Sequence, residues 1–384
     1  MHTFGIIFFS GLAAFWILTA ILSYRGMARI PVLTQVRPFD GPSFPRVSIL
    51  FAARDEAAKL PEALASLLAL DYPNYEVIAV DDRSEDATLE ILNDFARRDT
   101  RLKVVHIAEL PQGWLGKPHA LEMAYRESAG EWVVFTDADV QFAPDLLRRA
   151  LALMEQQRSD HLTLLAGLDL RGFWEPTAVG YLGVCFAVGV RPWQVSNPKS
   201  KVYMGVGAFQ MIRRSTYEAI GTHRRLAMEV LDDMKLGKLV KMNGFRSGAA
   251  PSENFLRIRW QEGIGNVIKG MTKNMFAGFD FNVAKTLAGV AGIFVISVLP
   301  ILGIIFAHGP AQIAAGVATV VAMLFEAQLM TQAKASRWFG VTHALGAVIV
   351  CYIIVRSMVV TLGRGGVVWR GTFYALEELK RGLV

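Results

Sequence analysis

Glu76-Val77-Ile78-Ala79-Val80-Asp81-Asp82-Arg83-Ser84-Glu85-Asp86 decides how this chain folds. A short apolar run, Glu76–Val80, reads as a strand, and it ends in an acidic loop that opens an amphipathic helix, Asp86–Arg98. The same alternation continues outward on both sides. Before it lie a strand at Val47–Ala52 and a helix at Leu60–Ala69. After it come a strand at Lys103–His106, a helix at Ala120–Ser128 and a strand at Trp132–Thr136. Strand–helix alternation at this spacing predicts βαβ units: an α/β domain with a mostly parallel sheet and helices on both faces. Ligands of such sheets bind beyond the carboxyl ends of the strands, so residues there are the first candidates for function.

The rest of the chain has a different character. It has 384 residues, 53% hydrophobic and only 19% charged, with a mean hydropathy of +0.33. That is too apolar for an ordinary soluble domain. No fixed-period repeat or low-complexity tract exists, which excludes disorder, collagen and coiled coil. Cys185 and Cys351 cannot build a disulfide framework, and no CxxC pair points to zinc. A net charge of +6 suits lipid or phosphate as well as nucleic acid and decides little.

Phe4–Tyr24 carries no charge and ends at Arg25, with Arg29 close behind. At about 1.5 Å per residue it is long enough to cross a hydrocarbon core of about 30 Å. A signal peptide fits less well, because no basic segment precedes Phe4 and no small-residue cleavage site follows the run. The two arginines place what comes next on the cytoplasmic side. Three further apolar runs follow: Thr286–Ala307, Ile313–Gln332 with Glu326 inside it, and Trp338–Leu362 with His343 and Arg356. Lys334 and Arg337 argue for a cytoplasmic turn, and Arg364, Arg370, Lys380 and Arg381 for a cytoplasmic tail. Three full crossings would end outside, so one run is re-entrant or interfacial, or the charge rule fails. The expected layout is an anchor at 1–28, a Pro-containing linker at 29–46, the α/β domain at 47–258, an interfacial amphipathic helix at 259–284, apolar segments at 285–363 and a basic tail at 364–384.

Three acidic clusters sit at or near strand ends. In Asp81-Asp82-Arg83-Ser84-Glu85-Asp86, one residue can N-cap the next helix, but capping leaves Asp81 and Asp82 unexplained; paired carboxylates there suit a nucleoside. Asp137-Ala138-Asp139 follows a strongly apolar strand, and carboxylates at i and i+2 can approach one hard cation. Such a cation neutralises a diphosphate leaving group. An isolated pair of this kind is also a common turn. In Glu229-Val230-Leu231-Asp232-Asp233-Met234-Lys235-Leu236-Gly237, acids at a helix start are ordinary, while the sharper reading makes one carboxylate a general base. Lys117 and the free N–H groups of a helix start favour an anion, and Gly205-Val206-Gly207-Ala208 permits close backbone approach. GxGxxG, Walker A, GxSxG and HExxH patterns are all missing, which disfavours Rossmann dinucleotide binding and those hydrolase chemistries.

Taken in order, these pieces resemble family 2 glycosyltransferases, inverting enzymes with a GT-A catalytic domain. The matching residues are Val47-Ser48-Ile49-Leu50 with Arg54-Asp55-Glu56, then Val80 to Asp86, Gly116-Lys117-Pro118-His119-Ala120-Leu121, Asp137-Ala138-Asp139, and Asp232-Asp233 with Leu236-Gly237. Trp369-Arg370-Gly371 and Tyr374 look like the tail of membrane-embedded members, which include ceramide-glucosyltransferase-like and hopanoid- or carotenoid-associated bacterial enzymes. The resemblance implies that Asp82, supported by Asp81, contacts the base and ribose of a nucleotide-sugar, expected to be a UDP-sugar. It implies that Asp139 with Asp137 holds Mg²⁺ or Mn²⁺ on the diphosphate, and that Lys117, Arg54, Glu56, Arg259 and Trp260 help to bind substrate. Asp233 becomes the base, with Asp232 standing where the family has Glu. Leu256-Arg257-Ile258-Arg259-Trp260 lacks the first Gln or Arg of the QxxRW or RxxRW motif, which argues for single-sugar transfer over polymer synthesis.

The expected activity is transfer of one sugar to a lipid or polyprenyl-phosphate acceptor, at a bacterial inner membrane, with the α/β domain in the cytoplasm and no nucleic-acid partner. Rival readings are a nucleotidyltransferase on a similar fold and an inactive scaffold or transport component. Trp260–Asn282, with apolar residues at near-helical spacing and Lys269 and Lys273 among them, reads as a helix lying on the bilayer. Thr177–Val190 fits an acceptor groove and buried core equally well.

Overall fold

Val, Ile and Phe runs bounded by Pro, Gly and Asp form the strands, and the α/β alternation is present as expected. The computed structural model describes residues 2–252 and 254–384. Its contacts divide the chain into two units. An α/β unit comprises Ile30–Asp169, Pro192–Arg259 and Arg370–Val384, and a helical unit comprises Met1–Arg29, Leu170–Arg191 and Trp260–Trp369.

In the α/β unit the strands are β1 (Val47–Ala53), β2 (Tyr75–Asp82), β3 (Leu102–Ile107), β4 (Trp132–Asp137), β5 (Val140–Phe142), β6 (His161–Leu165), β7 (Gly167–Leu168), β8 (Gln210–Arg213), β9 (Ser247–Pro251), β10 (Leu256–Ile258) and, in the tail, Thr372–Ala375. Seven of them form one sheet in the order β3-β2-β1-β4-β8-β6-β9. β1 pairs in parallel with β2 and β4, and β2 with β3, while β8 is antiparallel to both of its neighbours. A second small sheet has the order β5-β10-β7. The helices of this unit are α2 (Leu60–Leu68), α3 (Thr88–Arg98), α4 (Gly116–Arg126), α5 (Leu146–Gln157), α7 (Arg214–Ala219), α8 (Asp232–Met242) and a last one at Leu376–Arg381, while α1 (His2–Met27) and α6 (Trp174–Gly189) belong to the helical unit.

One core decides where the site lies. Ala120, Leu121 and Ala124 of α4, and Leu236, Leu239 and Val240 of α8, pack on Leu50, Ile78, Val80, Val133 and Phe135 of the sheet. Each buried Leu or Val contributes about 1.5–3 kcal/mol, and the i, i+3, i+4 spacing fixes how each helix is rotated. Both helices therefore start beyond the carboxyl ends of the strands. The helix expected over Ala120–Ser128 in fact begins at Gly116. Pro118 is tolerated because first-turn N–H groups have no helical partner.

The helical unit contains α1 (His2–Met27), α6 (Trp174–Gly189), α9 (Gly263–Thr272), α10 (Met275–Gly278), α11 (Val283–Ile293), α12 (Leu299–Phe306), α13 (Pro310–Gln332) and α14 (His343–Arg364). Among the described residues, four stretches are long and apolar enough to cross a membrane: Thr3–Met27, Val283–Phe306, Pro310–Gln332 and Arg337–Arg364. α11 and α12 join through a π-helical turn, Phe294–Val298. Pro300 has no N–H for the Ile296 carbonyl, and the Trp16 indole donates to that carbonyl at 2.8 Å instead.

The path of these helices bears on the parity problem. α1 and α13 run the same way, with Gly5 beside Ala311 and the Trp16 ring 5.9 Å from Phe325. After Gln332 the chain folds back: Gly340 lies against the Met323 carbonyl and Ala327. His343, the first residue of α14, is then level with Trp16, their rings 5.2 Å apart, and its Nδ1 is 2.7 Å from Glu326 Oε2. From there α14 passes Val290, whose carbonyl lies 3.8 Å from Cys351 Sγ, toward the Arg25 end of α1. It starts halfway along the bundle, so the fourth apolar stretch is a return loop followed by a helix.

Where the units divide differs from the expected layout. α6, inside the expected 47–258 domain, belongs to the helical unit, and residues 370–384 belong to the α/β unit. The single helix expected at 259–284 is broken between α9 and α10. Ser357 Oγ stabilises the break, donating to the Thr272 carbonyl at 2.5 Å and accepting from the Phe276 N–H at 2.9 Å.

Candidate active site

Four chain segments converge beyond the sheet: the end of β4, the start of α4, the Gly205–Ala208 loop and the start of α8. Lys117, in the first turn of α4, reaches Asp137 at the end of β4, with Nζ 2.5 Å from Oδ1. Lys117 and Asp137 side chains are 22% and 35% exposed. Burial alone would lower the Lys117 ammonium, but Asp137, Asp232 and Asp233 together push it above the ordinary lysine range. A pocket lined by Lys117, Thr136, Gly207, His223, Asp232 and Asp233 lies here.

The glycine loop ties these groups together. Gly207 N–H donates to Asp233 Oδ2 at 2.9 Å, and a Cβ at Gly207 would stand 2.7 Å from Asp137 Oδ2. At Gly205 a Cβ would collide with the Asp233 carbonyl, and at Gly237 with the Met204 carbonyl. The close approach read from the sequence is thus a backbone contact on both sides of Asp233. Its other oxygen accepts from the Met234 N–H at 2.7 Å, in the first turn of α8. Asp232 beside it is buried, 4% exposed.

Asp139, in the turn between β4 and β5, is pushed up to about 6, chiefly by burial and then by Asp137 and Glu56; Lys59 pulls the other way. Lys59 Nζ stands 3.5 Å from its Oδ2 and also donates to the Arg259 carbonyl at 3.0 Å. A carboxylate so disfavoured as an anion, next to a second one, fits a hard divalent cation. Among the described residues no cluster of three or more His, Cys, Asp or Glu is placed to hold a metal alone. Asp137 and Asp139 would supply two oxygens and a diphosphate the rest, as Mg²⁺ sites commonly do.

At the ends of β1 and β2, Asp81 is fully buried, with Oδ2 2.8 Å from His106 Nδ1 and Oδ1 without a hydrogen-bond partner. Asp82 accepts from Arg83 through both oxygens, at 2.7 and 3.1 Å. A Cβ at Gly116 would strike Asp82 Oδ2, so the first and second motifs meet. Glu56 pairs with Arg370, and Arg54 Nη1 lies 3.5 Å from Thr372 Oγ1. Arg259 Nη1 donates to the Asp169 carbonyl at 2.5 Å. Trp260 falls in the helical unit.

Two participants carry no sequence signal. Lys59 looks like any helix-flanking lysine. His223 is buried beside Lys117, with Nδ1 2.5 Å from the Tyr217 hydroxyl, and burial followed by the Lys117 charge holds its imidazole down to about 3. It is neutral at any physiological pH, which a lone histidine in a loop does not announce.

Residues 48–221 match the model of glycosyl transferase family 2, so the resemblance read from the motifs stands over that segment. The chain is 37% identical over 118 residues to the beta-monoglucosyldiacylglycerol synthase of Trichormus variabilis, covering 30% of this chain and 25% of that protein. It thus spans about a quarter of that relative's length. Against the 4,4'-diaponeurosporenoate glycosyltransferase of Staphylococcus aureus it is 22% identical over 340 residues, covering 86% of this chain and 89% of the other. Among solved structures, a mannosyltransferase from Pyrobaculum calidifontis in complex with GDP-mannose and Mn²⁺ superposes with a TM-score of 0.55 at 20% identity, covering 90% of this chain and 99% of that one. That likeness shows the GT-A fold.

Proposed function

We propose that this chain, whose residues 48–221 form a family 2 glycosyltransferase region, is a membrane-bound inverting transferase that moves one sugar from a nucleotide-sugar to a lipid hydroxyl or polyprenyl phosphate. The observation that carries the reading is the meeting of Lys117 with Asp137, and of the Gly207 N–H with Asp233, beyond the end of the sheet. A nucleotidyltransferase has no need of the third carboxylate there. Asp81 and Asp82 bind the nucleoside, and the unpartnered Asp81 oxygen is an acceptor waiting for a donor group. Lys117 and the first-turn N–H groups of α4 hold the diphosphate.

Asp137 and Asp139 would hold Mg²⁺ or Mn²⁺, which when bound would neutralise charge on the leaving diphosphate. Asp233, fixed by two backbone N–H groups, takes the proton of the attacking hydroxyl as it displaces the diphosphate in line at the anomeric carbon. Buried, neutral His223, close enough to feel the Lys117 charge, stays out of the proton transfer. A lipid acceptor is supported by the four apolar stretches and by relatives whose names specify a glucosyldiacylglycerol and a carotenoid acid.

The helical path also supports a membrane topology. Arg25, Lys285, Lys334 and Arg364 gather toward one end of the bundle, which the positive-inside rule makes cytoplasmic. α1, α11–α12 and α13 cross, and the return loop with α14 brings the chain back to the same side. The membership of residues 370–384 in one unit with residues 30–169 supports that path. The test offers labelled UDP-, GDP- and other nucleotide-sugars to membranes holding the protein and extracts them into organic solvent. Label in the lipid fraction, dependent on the expressed chain and on Mg²⁺ or Mn²⁺, supports the reading; none with any donor and added lipid acceptors overturns it.

A further inference from the structure

The tail motif Arg370-Gly371 with Tyr374 has a place in the α/β unit. Arg370 and Gly371 have φ of +48° and +80°, so the chain reverses sharply, and residues Thr372–Ala375 are extended. Arg370 donates to the Arg54 carbonyl at 2.8 Å and pairs with the Glu56 carboxylate. Arg54 in turn reaches Thr372. Two residues further on, the buried Tyr374, 6% exposed, accepts through its hydroxyl from the Gly116 N–H at 3.3 Å and interacts with the Arg83 guanidinium. One short segment thus ties together the loop after β1, the loop after β2 and the first residue of α4. Those are the positions where a sheet of this kind holds a nucleotide.

We propose that residues 370–375 are a strap forming one wall of the nucleoside pocket, and that Arg370 and Tyr374 are positioning residues for the donor. The proposal rests on the nucleotide-sugar reading above. Tyr374 holds Arg83 and Gly116 in register, and both adjoin Asp82. Arg370 fixes the Arg54–Glu56 loop. Neither touches the reacting atoms, so their loss weakens donor binding and leaves the chemical step alone.

The experiment titrates UDP, GDP, ADP and TDP into the full chain in detergent by calorimetry, for wild type, Tyr374→Phe and Arg370→Gln. Loosening of Gly116 and Arg83 on loss of the hydroxyl predicts about three- to tenfold weaker donor binding for Tyr374→Phe, with an equal rise in donor KM. The acceptor KM and kcat stay the same. Arg370 is 45% exposed, so Arg370→Gln carries the same readout should Tyr374→Phe fold poorly. Equal affinities in a wild type that binds a nucleoside diphosphate overturn the strap and leave the transferase reading standing. Tighter binding by the variants makes the tail a plug and also overturns it. A wild type that binds none of the four overturns both.

Discussion

Replacing Lys117 by methionine removes a cation whose charge is stabilised by Asp137, Asp232 and Asp233 together. The Lys117–Asp137 contact is short, 2.5 Å, and its two side chains are 22% and 35% exposed. Removing one partner of a fully buried pair costs about 3–5 kcal/mol, because the other charge is left uncompensated. Asp137 is about one-third exposed, so water recovers part of that, and we expect about 2–3 kcal/mol for Lys117→Met. For a unit of this size that is a fall in melting temperature of roughly 4–12 °C. The cause is the stranded carboxylate, so Lys117→Met with Asp137→Asn recovers at least half of the loss. Melting curves of the four proteins in a double-mutant cycle decide it. An unchanged melting point for Lys117→Met, or a double variant as unstable as the sum of the singles, refutes the pairing.

The raised pKa of Asp139, about 6 against an ordinary 3.8, means that the metal-free folded chain binds a proton more tightly than the unfolded one. Its penalty is absent below pH 4 and fully present above pH 6, so stability falls across that window. Asp139→Asn in chelator melts higher than wild type at pH 7.5 and equally at pH 4; equal melting at both values removes the buried-charge account. Gly205→Ala drives a Cβ into the Asp233 carbonyl, backbone against backbone, and is expected to abolish transfer and lower the melting point. Normal activity would mean that the loop stands further from α8. In the helical unit, Glu326→Leu strands His343 Nδ1 at an expected cost of about 1–3 kcal/mol, while Glu326→Gln keeps the hydrogen bond. Similar melting points for the two variants in detergent would show that the pair does not hold the start of α14.

Periodicity made the sheet legible: short apolar runs at Val47, Glu76, Lys103 and Trp132 alternate with helices, and only βαβ topology buries both. The acidic motifs were equally visible, because their carboxylates stand where strands end. Sequence spacing did not show which cation meets which acid. Lys59 with Asp139 and Lys117 with Asp137 depend on how α2 and α4 rotate on the core. It did not show that α14 begins midway along the bundle either, since hydropathy measures length and composition and is blind to a chain folding back at Gly340. Nor did the break after Thr272 have a local signal; a serine 85 residues away makes its hydrogen bonds.

The most direct test of the central claim is the linkage made by the wild-type chain and by Asp233→Asn. The anomeric configuration of the purified glycolipid is read by NMR and the initial rates are compared under saturating donor. The account predicts a configuration opposite to that of the donor and a loss of about 10²-fold or more in Asp233→Asn. A retained configuration, or a variant as fast as wild type, would contradict it.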